Sequence, residues 1–267
     1  MFNTRAATQP QWTEPPVANV GVLRLLALTA EPRVLRPGDD LTLTMLWQAP
    51  SPPPDLTLSL GLLDARGNVV AETIGPPSPE YPILNWRRNE LVRTVAELRL
   101  PADADAAPGP LRLAMVQHTV ANGALIGQPV ELPTSAYSFT VEALTRNYTA
   151  PPLAHALNAA VGPGAVLLGY AVDQAAGTVT LYWQAQALMD QRYTVFVQAL
   201  GPDGAVLAQA DQEPLGGARP TTSWLPGEIL TDPYTLPLAG ASQLIVGLYD
   251  PQTRARLATL TIPAADF

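Results

Sequence analysis

Apolar and polar residues alternate in short runs along most of the chain, and this period of two predicts β-strands. Leu41, Leu43 and Met45 alternate with Thr42 and Thr44, for example. Such a pattern places one face of a strand against a core and the other face toward solvent. Stretches that contain Pro or Gly separate the runs and predict turns between them. Strict alternation with a polar face favours antiparallel sheets over a βαβ arrangement.

One strand sequence occurs twice, and the surrounding pattern repeats with it. Residues 45–49 read MLWQA and residues 181–185 read LYWQA. Each copy is followed by an apolar strand, a Gly-containing turn and a further strand. A second tryptophan then appears in both halves, Trp86 and Trp224, at 39 and 41 positions after the first. Similarity that stays in step over this length is an internal repeat.

The repeat and the strand spacing predict an all-β protein of two tandem immunoglobulin-like antiparallel β-sandwiches. Residues 1–16 show no periodicity and are expected to form a lead-in segment. Domain 1 is predicted over residues 17–144, a linker over 145–164 and domain 2 over 165–267. Within the linker, residues 154–160 are compatible with a helical turn or with an extended segment along the next domain.

Composition limits the classes of function that the chain can have. With 47% hydrophobic and 14% charged residues, each half can bury a core. The net charge of −8 disfavours binding to nucleic acid or to anionic membrane surfaces. The absence of Cys excludes disulfides and thiol chemistry. No apolar run reaches the ~18 residues of a membrane helix, so we expect no membrane insertion by this segment.

The tryptophans are the candidate binding residues, because exposed indoles stack on sugar rings. Trp47 and Trp183 lie inside alternating strands, and the pattern predicts a structural role in the core. Trp86 and Trp224 fall in or beside the long loop of each half. They are speculative binding residues, with the pinning of the loop to the sandwich as the alternative. Trp12, in the lead-in, carries no assignment.

The polar residues provide no pattern that predicts catalysis. Asp211 and Glu228 flank the long loop of the second half, where a structural role such as binding backbone N–H groups is expected. His118 and His155 lie in different halves, which disfavours a shared site. Nucleophile motifs, P-loops and dinucleotide fingerprints are absent. We therefore predict no catalytic residues, no metal site and no cofactor, and the protein is not expected to be an enzyme.

The second half contains four distinctive runs: LLGY at 167–170, LYWQA at 181–185, PTTSWLPGE at 220–228 and VGLYDP at 246–251. With these runs it resembles a poorly characterised β-sandwich repeat of bacterial envelope proteins, and the resemblance covers nearly all of residues 153–262. The first half keeps the Trp-Gln-Ala strand and Trp86 but lacks the last two runs. Such repeats often form the C-terminal tail of membrane glycosyltransferase-like proteins, and the resemblance implies attachment to one.

These observations predict a non-catalytic extracytoplasmic or cell-surface module that offers loops or an edge strand to a partner. The expected partner is an unidentified protein or a cell-surface glycan, and nucleic acid is not expected. Two alternatives stay open: a carbohydrate-binding module, or a structural subunit of a surface assembly. The first residues lack the apolar segment of a secretory signal, so an export signal is expected outside the given sequence.

Overall fold

A computed structural model describes residues 12–104, 109–121, 124–126, 129–133, 137–263 and 265. The lead-in up to residue 11 and the turns predicted around residues 107 and 122 lie outside the described residues. The chain divides into two compact units, of which the first contains strands β1 to β11 and the second contains β12 to β19. Within the described ranges, no helix is long and apolar enough to span a bilayer.

The first unit consists of two sheets. One sheet has the strand order β1-β2-β4-β7, and the other has the order β3-β11-β8-β5-β6, with β9 and β10 also paired to β8. All pairs are antiparallel except that of β3 with β11. The strands are β1 Ala18–Val20, β2 Leu23–Glu31, β3 Val34–Leu35, β4 Asp40–Gln48, β5 Thr57–Leu63, β6 Val69–Gly75, β7 Leu91–Arg99, β8 Leu111–Ala121, β9 Ala124–Ile126, β10 Pro129–Glu131 and β11 Ser138–Val141.

The second unit also has two sheets, each of four antiparallel strands. Their orders are β12-β13-β14-β17 and β16-β15-β18-β19. The strands are β12 His155–Ala160, β13 Ala165–Asp173, β14 Thr178–Ala185, β15 Thr194–Leu200, β16 Val206–Gln212, β17 Ile229–Thr235, β18 Gln243–Tyr249 and β19 Arg256–Pro263. Short 3-10 helices occur at Ile83–Asn85, Pro214–Gly217 and Thr221–Ser223.

Alternation along the strands places the apolar residues between the sheets. In β4, Leu41, Leu43, Met45 and Trp47 are buried and the residues between them are partly exposed. The equivalent strand β14 repeats this pattern with Val179, Leu181, Trp183 and Ala185. Because burying apolar area stabilises by about 25 cal/mol per Å², this face fixes the register of both strands. The prediction of an all-β sandwich class is confirmed, while the immunoglobulin-like subtype stays a prediction.

The segment predicted as a linker contributes a strand. Residues 155–160 form β12, which pairs with β13 and completes a sheet of the second unit. Of the two conformations left open for this segment, the structure has the extended one. Along the chain, the second unit therefore takes in residues from Ala143 onward, including the whole of 145–164. The prolines that suggested a linker flank the strand, with Pro151 and Pro152 before it and Pro163 after it.

Candidate functional site

The strand tryptophans are buried, and each indole N–H is bound by a residue of the neighbouring strand. Trp47 and Trp183 are 0% exposed. The Trp47 N–H donates to the Thr94 hydroxyl on β7 at 3.0 Å. The Trp183 N–H donates to the Asp232 carboxylate on β17 at 3.2 Å. The two halves thus use the same side chain at the same place in the core, with a different acceptor.

The loop tryptophans, which were the speculative binding residues, are also buried. Trp86 is 2% exposed and Trp224 is 0% exposed. Each directly follows a short 3-10 helix and donates its indole N–H to the carbonyl five residues earlier, that of Tyr81 at 3.1 Å and that of Arg219 at 3.0 Å. In these positions neither indole presents a face to a ligand. The geometry is that of the alternative, in which the indole pins the loop to the sandwich.

A glutamate four residues after each loop tryptophan closes the loop. The N–H of the residue following the tryptophan donates to this carboxylate, in Arg87–Glu90 at 2.7 Å and in Leu225–Glu228 at 3.1 Å. The residue before each glutamate has positive φ, 60° at Asn89 and 86° at Gly227. The sequence signal for this motif is a Trp-x-x-x-Glu spacing present in both halves, and it was not among the predictions above.

Glu228 is the centre of a buried ionic cluster in the second unit. Its carboxylate is 0% exposed and accepts from Arg146 at 2.9 Å and from Arg219. Arg146 also donates to the Ser223 carbonyl at 2.9 Å, and Arg219 to the Thr145 carbonyl at 3.1 Å. This buried carboxylate accepts three hydrogen bonds, two of them from guanidinium groups, so it is held as an anion inside the protein and is shielded from any substrate. The expected structural role of Glu228 matches these contacts.

Asp232 is a second buried carboxylate, and it stands alone. It accepts from the Trp183 indole, from the Tyr234 hydroxyl at 2.6 Å and from the Leu215 N–H at 2.9 Å. Burial raises the pKa of Asp232, and the hydrogen bond from Tyr234 is the largest opposing effect. Burial and the neighbouring Asp232 carboxylate raise the pKa of Tyr234. Without a second carboxylate nearby among these contacts, the group is a hydrogen-bond acceptor of the core.

The two histidines occupy separate units. His118 lies 2.6 Å from the Ser59 hydroxyl, but Ser59 is 2% exposed and so is shielded from any substrate. The other ring nitrogen of His118 has no partner among the described residues, so no carboxylate orients the ring as in a catalytic triad. His155 stacks on Tyr170 at 5.0 Å. Across the described ranges, no three His, Asp or Glu side chains are grouped to hold a metal ion.

The second unit carries a polar recess on the outer face of the sheet β16-β15-β18-β19. Phe196 forms its floor, and the ring lies over Gly247, where a methyl group would come within 2.8 Å of it. The Arg256 guanidinium lies 4.3 Å from the ring centroid and donates to Gln198 at 3.1 Å. Tyr249 packs beside the ring at 6.3 Å. The recess encloses about 160 Å³.

Two charged groups of the recess are available to a ligand. Asp211 lies opposite Phe196 on β16, and Arg254 precedes β19 with a φ of 61°. Within the described part of the chain, neither side chain has a hydrogen-bond or ion-pair partner. The recess therefore offers an anionic acceptor and a cationic donor, while the Phe196 ring beneath them is 1% exposed and presents no open face to a ligand. This arrangement can bind a small polar molecule, and it has no pair of carboxylates for acid–base catalysis.

The first unit has an apolar groove along the side of the sandwich where β6 and β7 are the edge strands. The groove has a volume of about 330 Å³. Met45, Leu60 and Pro77 are buried and form its floor, and Ile74, Val95 and Pro76 are exposed and form its rim. Ile74 and Val95 are 50% and 49% exposed. Apolar side chains exposed beside a sheet edge are a feature of protein interaction surfaces.

Comparisons with known proteins give no family assignment. No family model matches the chain, and no curated protein matches it. Among the solved structures that do match is a DUF4785 family protein from Legionella pneumophila, with 13% identity and a TM-score of 0.27. The alignment covers 91% of this chain and 57% of that chain.

Proposed function

We propose that this chain is a non-catalytic interaction module that works outside the cytoplasmic membrane together with a membrane glycosyltransferase-like protein. One observation carries the non-catalytic part of the proposal. The buried polar residues of the two Trp-containing motifs, Glu228 and Asp232 above all, are occupied by internal hydrogen bonds and ion pairs. The groups left accessible are surface groups, which suit binding rather than acid–base chemistry.

The association with a membrane transferase is supported by the resemblance of residues 153–262 to envelope repeats. Two rigid antiparallel sandwiches in tandem would serve to hold a partner or a polymer end near the membrane enzyme.

Fractionation of native cells tests this proposal. An antibody raised against the chain should detect a band in the membrane fraction. Chemical cross-linking should connect that band to a multi-spanning transferase, or show that both are one polypeptide. A band confined to the cytosolic fraction, with no cross-link to a membrane protein, would refute the proposal.

A second candidate function is glycan binding at the Phe196 recess. The unpartnered Asp211 and Arg254 side chains favour it, because sugar hydroxyls both donate and accept hydrogen bonds. The recess volume of about 160 Å³ suits one sugar ring. Titration of a disaccharide of N-acetylglucosamine and N-acetylmuramic acid should shift amide NMR signals of β15, β16 and β18. Asp211→Ala should abolish these shifts, and Asp203→Ala, in the turn before β16, should preserve them.

A further inference from the structure

Strand β7 is an edge strand whose exposed face carries opposite charges at equal distances on either side of Val95. Within the part of the chain that the structure describes, β7 pairs with β4 alone. Arg93, Val95 and Glu97 point to the exposed face of this strand. Read from Val95 outward, a cation lies two residues before it and an anion two residues after it. A second strand in antiparallel orientation would place the opposite charge against each of them.

The repeat reveals which backbone groups of β7 point away from the sheet. Pro233 on β17 pairs with Thr180 in an uninterrupted antiparallel ladder. Since proline has no N–H, this position is one where the backbone groups face the free edge. Ile229, with the same parity, confirms the direction, because its N–H bonds outward to the Asn147 carbonyl at 2.7 Å.

Val95 is the equivalent of Pro233. Val95 lies three residues after Val92, the partner of Trp47, and Pro233 lies three residues after Leu230, the partner of Trp183. The N–H and C=O of Val95 therefore face the free edge. The backbone N–H and C=O groups of the other odd-numbered residues of β7 also face the free edge, because these groups point alternately to the two sides of a strand.

The two charges on β7 are not neutralised within their own sheet. Arg93 lies opposite Leu46, and Glu97 lies opposite Thr42. Neither charged side chain has a hydrogen-bond or ion-pair partner among the described residues. An opposite charge for each would have to come from across the edge.

We propose that β7 pairs antiparallel with β7 of a second copy of this chain, on a two-fold axis at Val95. Arg93 of each copy then lies opposite Glu97 of the other, and Val95 lies opposite its own equivalent. Three hydrogen-bonded residue pairs supply about six backbone hydrogen bonds. The interface is isologous, and its two charge pairs are complementary by symmetry.

The groove supports the same occupant. A two-fold axis perpendicular to the sheet keeps the inner faces of both copies on one side, so it brings the two grooves together. The exposed apolar side chains Ile74 and Val95 would then be covered by their counterparts. The second unit is protected against such pairing, because Pro233 lacks a donor and Asn147 already binds Ile229. This inference does not depend on the proposed transferase partner.

Sedimentation velocity of the full chain over about 1–200 µM tests the proposal. We expect a reversible monomer–dimer equilibrium. Val95→Pro removes the central donor and should leave only monomer, and the natural proline at position 233 indicates that the fold accepts it. Val95→Ala is the matched control, since it retains the N–H and should change the dimer Kd by no more than about threefold. A wild-type chain that is monomeric throughout, or a dimer that persists in Val95→Pro, overturns the proposal.

A charge exchange tests the register independently of the backbone. Arg93→Glu places like charges opposite each other twice in the dimer and should raise Kd about tenfold. Glu97→Arg should do the same. Combining Arg93→Glu with Glu97→Arg restores complementarity and should return Kd to within about threefold of the wild-type value. Additive weakening in the double variant would exclude the antiparallel register at Val95.

Discussion

Truncation of Glu228 should destabilise the second unit far more than truncation of the equivalent Glu90 destabilises the first. Glu228→Ala removes the carboxylate from between Arg146 and Arg219, whose side chains are 9% and 12% exposed. Both guanidinium groups would be left largely buried and without this anion. It also removes the acceptor of the Leu225 N–H.

The expected magnitude follows from these contacts. Breaking a buried ion pair by removing one partner costs about 3–5 kcal/mol, because an uncompensated charge is left in a medium of low polarity. Glu90 is only partly buried and accepts from the Arg87 N–H at 2.7 Å and from the Tyr81 hydroxyl at 3.2 Å. Its loss should cost about 1–2 kcal/mol, the net value of one or two hydrogen bonds.

Native-state hydrogen exchange in urea measures the two units separately, since a two-unit chain need not unfold in one step. Peptides that include Trp47 report the first unit, and peptides that include Trp183 report the second. Glu228→Ala should lower the opening free energy only in the second set. The effect should change little with salt, because buried pairs are weakly screened.

A neutral triple replacement serves as the control. Substituting Arg146→Met, Arg219→Met and Glu228→Leu together removes all three charges and leaves none unpaired. Such replacements are often neutral or stabilising, so most of the lost stability should return. The reasoning would be refuted if Glu228→Ala cost no more than Glu90→Ala, or if the triple variant were less stable than Glu228→Ala alone.

Two further substitutions test the packing and the electrostatics. Gly247→Ala should destabilise the second unit by at least about 1–3 kcal/mol in thermal unfolding, because the new methyl group clashes with the backbone carbonyl oxygen of Ala258 and also meets the Phe196 ring at 2.8 Å. Gly75→Ala, which meets nothing within 4 Å, is its control. Asn68→Ala should raise the pKa of Asp64 in an NMR titration, since the Asn68 side chain is the main cause of its lowered pKa. A lowered pKa in the folded state contributes stability at pH values above the ordinary pKa of the group, and this contribution is lost as the pH falls through the lowered pKa. The variant lacks much of this contribution and should therefore lose less stability on acidification. An unchanged pKa would contradict this assignment.

The strands could be predicted from the sequence because their signal is local. Alternation identifies the inward side chains of β4 and β14 without knowledge of the partner strands. Trp47 and Trp183 followed from the same period. The extended conformation of residues 155–160 could not be decided, since it depends on pairing with β13 and not on the propensity of the segment.

The recess around Phe196 was not predictable for a related reason. Its groups come from β15, β16, β18 and the turn before β19, and their proximity depends on the register of three strand pairs. A shift of one residue would turn Phe196 toward the core. Phe196 is buried, as a large apolar residue in a strand predicts, but the sequence does not show which residues cover it. Here the ring is covered by Arg256 on the outer face.

The positions at which the two halves differ are more informative about function than those at which they agree. Shared features, such as the buried tryptophans and the glutamates that close their loops, are explained by folding. Folding does not explain why Pro233 in one half corresponds to Val95 in the other, because either residue is compatible with the hydrogen bonds to the inner strand. The difference affects only the free edge of each sheet. There the second unit lacks an N–H donor at Pro233, whereas the first unit has one at Val95, between Arg93 and Glu97. A duplicated sandwich that blocks one edge and leaves the other self-complementary has the asymmetry expected when a single edge is used for association.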